Sequence, residues 1–363
     1  MLSTLIRKEW PLLVSYGSLV VLLLWGSSIM GSLDGATNVG LVFAWLFVVI
    51  LLASFSVVRH AESLAVIFGE PYGTLILTLS VIGLEVLMIA TVMVTGENVP
   101  TMARDTMFAV LMIVLNGLLG ISIFVGARKF RQQDYNIQSS HTYIGMLILL
   151  IGIGLVLPRF MPQLKEDEFH YFLIVGGLIM YGIFLWVQTV EHRGFFEYTR
   201  PDGREEDHGH ADTEHGGLYH GVLLVLTLVP VVLLAKGLAT VLNADIVLDR
   251  LPAELAGLVI ALLILAPEGM AAIQAARHDN QQRAINICLG SGLATIGLTI
   301  PVVLIISLIT GESIVLGLEP VEMVLIAISL LLLKTNLESG RTNILMGAIF
   351  MALFAAYIAL IFI

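Results

Sequence analysis

The sequence predicts an all-α polytopic membrane protein of about eleven transmembrane helices, one N-terminal helix plus two inverted five-helix repeats. Three observations lead there. The 363 residues are 58% hydrophobic and 13% charged, where soluble domains carry roughly 25% charge. Apolar runs of membrane length recur along the whole chain with brief loops between them. Lysine and arginine divide unequally between alternate loops. The net charge of −10 and the absence of a basic patch speak against a nucleic-acid partner. The single cysteine, Cys288, rules out a disulfide framework and a thiolate metal cluster.

The N-terminal stretch "MLSTLIRKEW" precedes an apolar run with no small-residue cleavage site, so residues 1–34 are expected to be a retained N-terminal helix. A helix needs about 20 mostly apolar residues to cross the hydrocarbon core. That rule places spans at 12–30, 39–58, 72–95, 106–127, 143–157, 169–190, 221–242, 256–276, 284–308, 321–333 and 344–363, the fifth and tenth being short. With Arg7 and Lys8 in the cytoplasm, cytoplasmic segments hold 13 of the 18 basic residues and the opposite side holds 5. That is the positive-inside bias, and it puts the N-terminus inside and the C-terminus outside. Trp10 and Trp186 fall near predicted interfaces, where amphipathic rings are at home.

After the first helix, residues 35–190 (helices 2–6) and 221–363 (helices 7–11) form two sets of five. Five is odd, so the sets have opposite orientation, the signature of inverted-repeat transporters. The acidic residues fit this division. Away from span ends, the clear membrane acids are Glu85, in "LSVIGLEVLMIA", and Glu268, in "ILAPEGMAAI". Each lies in the second span of its half. A carboxylate at bilayer depth costs at least a few kcal/mol and marks a functional site unless it is a satisfied structural hub. Two carboxylates suit a hard cation, which takes oxygen ligands. With no cation present, burial and mutual repulsion favour protonation, and an arriving cation reverses that preference. A site that holds either, exposed alternately to each side, is an antiporter. Pro267 and Gly269 suggest a broken helix with freed carbonyls, against the plainer reading of a packing kink. Secondary ligand candidates are Thr74, Thr78, Ser80 and Asn116 in the first half, and Asn286, Ser291, Thr295 and Thr299 in the second. Small polar residues are also common at membrane helix contacts.

The run "PEGMAAIQAARHDNQQRAINICLGSGLATIGLTIP" resembles the second alpha-repeat of the calcium/cation antiporter superfamily, cation/proton exchanger branch, through Glu268, Leu289, Gly290, Ser291 and Pro301. "ESLAVIFGEPYGTLILTLSVIGLE" resembles the first alpha-repeat, with Gly73 and Glu85 in register, and Asn116 falls where the following helix of the family carries Asn. The last span resembles the closing helix through Gly340, Asn343, Leu345, Gly347 and Tyr357. "FSVVRHAESLA", "GEPYGTLILTLS" and "SGRTN" look most like the bacterial ChaA-type calcium/sodium–proton antiporters. The resemblance covers most of the chain from about residue 50. It implies exchange of Ca²⁺, or of Na⁺ or K⁺, for H⁺ across a bacterial inner membrane, with Glu85 and Glu268 as the transport carboxylates and no cofactor. The family signature G-N-x-x-E has Asn three residues before each Glu. Here Ile82 and Leu265 stand there, which leaves the choice between Ca²⁺ and a monovalent ion open. Met346 stands where many relatives have Glu.

Residues 191–220 form the longest loop and hold five of the nine histidines. Glu205, Glu206, Asp207, His208, His210 and His215 are the candidates for a cytoplasmic cation or pH sensor, against a solvated linker. A monovalent-cation antiporter on the same carboxylates is the first rival reading, and a cation channel is a remoter one. A metalloenzyme would need histidines deep within spans, and the sequence has none there. The oligomeric state is not legible in the sequence.

Overall fold

The computed structural model describes residues 8–33, 35–69, 72–95, 100–161, 166–197, 215–242, 244, 247, 252, 254–311 and 313–363. Among these residues the long elements are all helices, joined by short non-helical segments such as 131–136 and 313–319, with a single isolated β-bridge between Asp134 and Arg341. The helices are α1 (Trp10–Met30), α2 (Ala36–Phe68), α3 (Tyr72–Thr95), α4 (Met102–Phe130), α5 (Ile137–Phe160), α6 (Glu166–Trp186, ending in the π turn Val187–Glu191), the short α7 (Arg193–Phe196), α8 (Gly217–Leu242), α9 (Glu254–Arg277), α10 (Gln281–Thr310), α11 (Pro320–Asn336) and α12 (Ile344–Ile361). Each of the eleven expected spans overlaps one long helix. Nine helices among the described residues are long and apolar enough to cross a membrane. Large apolar side chains such as Leu23, Leu24 and Trp25 point outward from α1, which suits lipid and not water.

The boundaries differ from the apolar windows for identifiable reasons. Helix α5 was expected over 143–157 but starts at Ile137, because Asn136 caps it by accepting from the Gln138 backbone N–H at 3.0 Å. A polar first turn, Gln138 to Ser140, therefore precedes the apolar run. Helix α2 was expected over 39–58 and runs to Phe68, carried on by a face on which Val57, Val58, His60, Ala61 and Leu64 stay buried. Helix α11 begins with Pro320 at its first position and a reciprocal capping box, in which the Glu319 backbone N–H donates to Glu322 at 2.8 Å. The expected loop 191–220 is shorter than predicted: α7 lies within it, and Tyr219 and His220 belong to the first turn of α8.

The chain divides into two compact units. One comprises Met1–Val99 and His208–Pro267, the other Pro100–Asp207 and Glu268–Ile363. In the first unit α2 is central and packs against α1, α3 and α8. Its starts are tied by Glu9, which precedes α1 and accepts from Arg59 and, at 2.9 Å, from the Tyr219 hydroxyl. Burial pushes the Glu9 carboxyl up, but His60, the Arg59 charge and Tyr219 together outweigh it and hold the group at about 2.

In the second unit α4 packs against α12, and α10 packs against α5 and α6. The α4–α12 crossing needs two glycines. A Cβ on Gly347 would sit 2.6 Å from the Phe124 nitrogen, and one on Gly120 would sit 2.9 Å from the Met351 nitrogen. Removing both side chains lets the backbones touch, the usual device of close membrane helix pairs. At one end of this unit, buried Arg104 binds Asp105 at 2.7 Å, Glu319 at 3.4 Å and the Gly317 carbonyl at 3.0 Å.

Candidate functional site

Glu85 and Glu268 occupy like positions. Helices α3 and α9 each have 24 residues, and each carries its glutamate near the middle. Glu85 is buried. Glu268 is half-buried and accepts a hydrogen bond from the Ser291 hydroxyl at 2.8 Å on Oε2. Ser291 lies on α10, and its carbonyl accepts from Thr295 Oγ1 at 3.0 Å. The string Glu268–Ser291–Thr295 thus joins three of the residues singled out from sequence.

Helix α9 is continuous through Pro267 and Gly269, so the expected break is absent. Proline still lacks an N–H, and the Leu263 carbonyl one turn earlier loses the partner it would otherwise have had. Gly269 has a packing reason. A Cβ there would fall 2.7 Å from Leu118 Cδ2, so glycine lets α9 lie close to α4.

Asn116 lies in a π turn of α4, Ile113–Leu118, and Thr295 and Thr299 lie in a π turn of α10, Thr295–Thr299. Such turns insert a residue into the helical ladder and recur at functional sites. Asn116 and Thr295 are each the fifteenth residue of their helix. The Asn116 side chain is fully buried. Its Nδ2 donates to Ser329 Oγ on α11 at 2.8 Å, while its Oδ1 has no partner among the described residues. Thr299 Oγ1 is likewise buried without a described partner. A bare carbonyl oxygen in an apolar interior is costly unless something else binds it.

Other candidates sit elsewhere. Ser80 turns back to the Ile76 carbonyl at 2.7 Å, and the side chains of Thr74 and Thr78 lie outside the described residues. Asn286 is a structural tie: it donates to the Phe196 carbonyl at 2.7 Å and accepts from Gln282 at 2.8 Å, fixing α7 against α10. Glu205, Glu206, Asp207, His208 and His210 lie outside the described residues. His215 is described, and its ring stacks on Tyr219 with centroids 4.4 Å apart. Ser329 was missed from sequence. It stands in "IAISLLLL" as one more small polar residue, and only its bond to Asn116 distinguishes it.

Comparison with known proteins adds the following. The sodium/calcium exchanger protein family matches residues 38–190 and 219–363. The sodium-potassium/proton antiporter ChaA of Escherichia coli (strain K12) is 40% identical over 98% of this chain and 97% of its own length. The Ca²⁺/H⁺ antiporter ChaA of Bacillus subtilis (strain 168) is 24% identical over 91% of this chain and 93% of its own. Among solved structures, native YfkE superposes with a TM-score of 0.75 at 20% identity, covering 96% of this chain and 98% of that one. The H⁺/Ca²⁺ exchanger CAX gives 0.63 at 13% identity, covering 97% and 88%.

Proposed function

The chain belongs to the sodium/calcium exchanger family, and from that premise we propose that it is a secondary active cation/proton antiporter in which Glu85 and Glu268 bind either the cation or protons. It is a multi-pass membrane transporter and not an enzyme. The observation that carries the site assignment is a carboxylate near the middle of an apolar 24-residue helix, twice, once in each matched segment. Each glutamate is expensive to hold at bilayer depth. Ser291 supplies a hydroxyl to Glu268, and the unpartnered Asn116 oxygen lies on the helix that Gly269 approaches. Asn116, Ser291, Thr295, Thr78, Ser80 and the carbonyl freed by Pro267 are the proposed secondary ligands.

The two inverted repeats, 35–190 and 221–363, remain part of this reading. They are supported by the two family-matched segments and by the like placement of the two π turns. The cytoplasmic N-terminus, the outside C-terminus, the bacterial inner membrane and the regulatory role of the acidic loop are proposed with it.

Ca²⁺ is the proposed cargo, with two carboxylates to balance its charge. Export of Na⁺ or K⁺ on the same residues is the second reading. It is favoured by the apolar Ile82 and Leu265, which offer no amide oxygen beside either glutamate, and by the name of the 40% identical relative. The deciding experiment measures proton movement in inside-out vesicles with an acid interior. A pH dye reports alkalinisation on adding Ca²⁺, Na⁺ or K⁺ to wild type, Glu85→Gln and Glu268→Gln. A Ca²⁺ response lost in both variants supports the first reading, and a response to Na⁺ or K⁺ alone supports the second. Full coupled transport by either variant overturns the site assignment.

A further inference from the structure

Away from the two glutamates, the first compact unit buries a second titratable cluster. His60 on α2 and His220 on α8 are each 1% exposed, and their Nδ1 atoms are 3.0 Å apart. At that distance one proton, and only one, lies between the two nitrogens. Two bare lone pairs repel, and two N–H groups pointing at each other repel more. The other ring nitrogen of His60, Nε2, is 3.3 Å from Glu9 Oε2 and 3.3 Å from an Arg59 nitrogen. If Nε2 carries hydrogen it donates to Glu9, and if it is bare it accepts from Arg59. Either tautomer preserves the single proton on the axis between the histidines.

Counting protons then fixes the behaviour. The neutral pair holds two protons, one of them shared. A third proton makes one ring an imidazolium, which still donates to the bare nitrogen of its neighbour, and Glu9 offsets the charge. A fourth puts hydrogen on both Nδ1 atoms, and the bond cannot persist. We propose that His60 and His220 form a proton-operated latch: the pair binds one added proton with its bond intact and parts on the next, releasing the start of α8 from α2.

The neighbours make the latch consequential. Glu9, just before α1, accepts from Arg59 and from the Tyr219 hydroxyl, so the beginnings of α1 and α8 and the far end of α2 meet in one network. His215 stacks on Tyr219, which places the end of the acidic loop on the same cluster. Among the described residues, the charged and titratable groups on the packed elements, besides the pair itself, are Lys8 and Glu9 ahead of α1, Tyr16 on α1, Arg59 and Glu62 on α2, Tyr72 and Glu85 on α3, and His215, Tyr219 and Lys236 at α8. Arg59 lends its Nη1 to the Lys8 carbonyl, so it is held in place beside the pair. Among the described residues no group of three or more His, Cys, Asp or Glu side chains is placed to hold a metal ion. Glu9, held at about 2, stays ionised throughout the range in which histidine titrates, so it is not the responding group.

Amide hydrogen exchange of the full-length protein tests this without reference to transport. Exchange of segments 55–66 and 216–226, corrected for the intrinsic pH dependence of amides, is measured at about pH 8 and about pH 5.5, which bracket histidine titration. In wild type the acid sample is expected to exchange roughly tenfold faster in both segments, with other helices unchanged. Gln at either position hydrogen-bonds but does not titrate, so His220→Gln and His60→Gln are expected to abolish the response. His215→Phe, which keeps the stack, is expected to retain it. Should one Gln variant fail to fold, the other decides. Equal protection at both pH values in wild type overturns the latch, as does a response that survives in a folded Gln variant or vanishes in His215→Phe.

Discussion

Replacing Ser291 by alanine removes the one hydroxyl that, among the described residues, donates to Glu268. The bond is 2.8 Å long and joins Glu268 on α9 to Ser291 on α10, both residues of the second unit. A hydrogen bond to a charged acceptor contributes about 1.5–3 kcal/mol, and partial exposure of both groups argues for the lower end. Taking about 1–2 kcal/mol, cation affinity at fixed pH falls roughly five- to thirtyfold. Stability is little changed, because alanine leaves no polar group stranded on α10 and Thr295 keeps its own bond to the residue 291 carbonyl. The assay is cation-driven proton movement in vesicles, read as the concentration for half-maximal response, with the amount of folded protein measured in parallel. The half-maximal concentration should rise while the maximal rate changes less, and Ser291→Thr should recover most of the loss. If Ser291→Ala is fully folded and its half-maximal concentration matches wild type, the hydroxyl does not serve the site and the reasoning fails.

Further consequences follow from other parts of the structure. The Glu9 carboxyl is held at about 2 against an ordinary value of 4.5, so its contribution is present above about pH 4.5 and is lost as pH falls toward 2. Wild type should lose roughly 2 kcal/mol across that window after allowance for solvent screening, and Glu9→Gln should lack this component in acid unfolding scans. Gly347→Leu drives a side chain into the α4 backbone, where even a Cβ would lie 2.6 Å from the Phe124 nitrogen. A loss of about 3 kcal/mol or more, or failure to assemble, is expected in thermal unfolding in detergent. Arg104→Ala removes the guanidinium that binds Asp105, Glu319 and Glu322 and leaves the Gly317 carbonyl without its donor, while Glu319 keeps Arg159 at 3.3 Å. A cost of about 3–5 kcal/mol is expected, and Arg104→Lys should recover only part of it because the guanidinium fork serves several acceptors.

The sequence alone determined the class of this protein and the order of its long helices, and it singled out Glu85 and Glu268 as the proposed transport carboxylates. Those properties follow from local composition: an apolar run must become a helix in lipid, and a charge inside such a run is conspicuous wherever the chain goes. Some helix ends were not legible, because the Asn136 cap and the buried face of α2 beyond residue 58 extend helices through polar sequence. Nor was Ser329, whose meaning lies in its bond to a residue 213 positions away. Pro267 misled in the opposite direction, since α9 runs on as helix through it where local chemistry predicts a break. Asn286 looked like a ligand and proved to be a tie to α7. His60 and His220 are 160 positions apart, and both fall outside the spans expected from sequence. Only folding brought their nitrogens within reach of one proton, because a contact between distant residues is set by how helices pack and not by what either residue prefers alone.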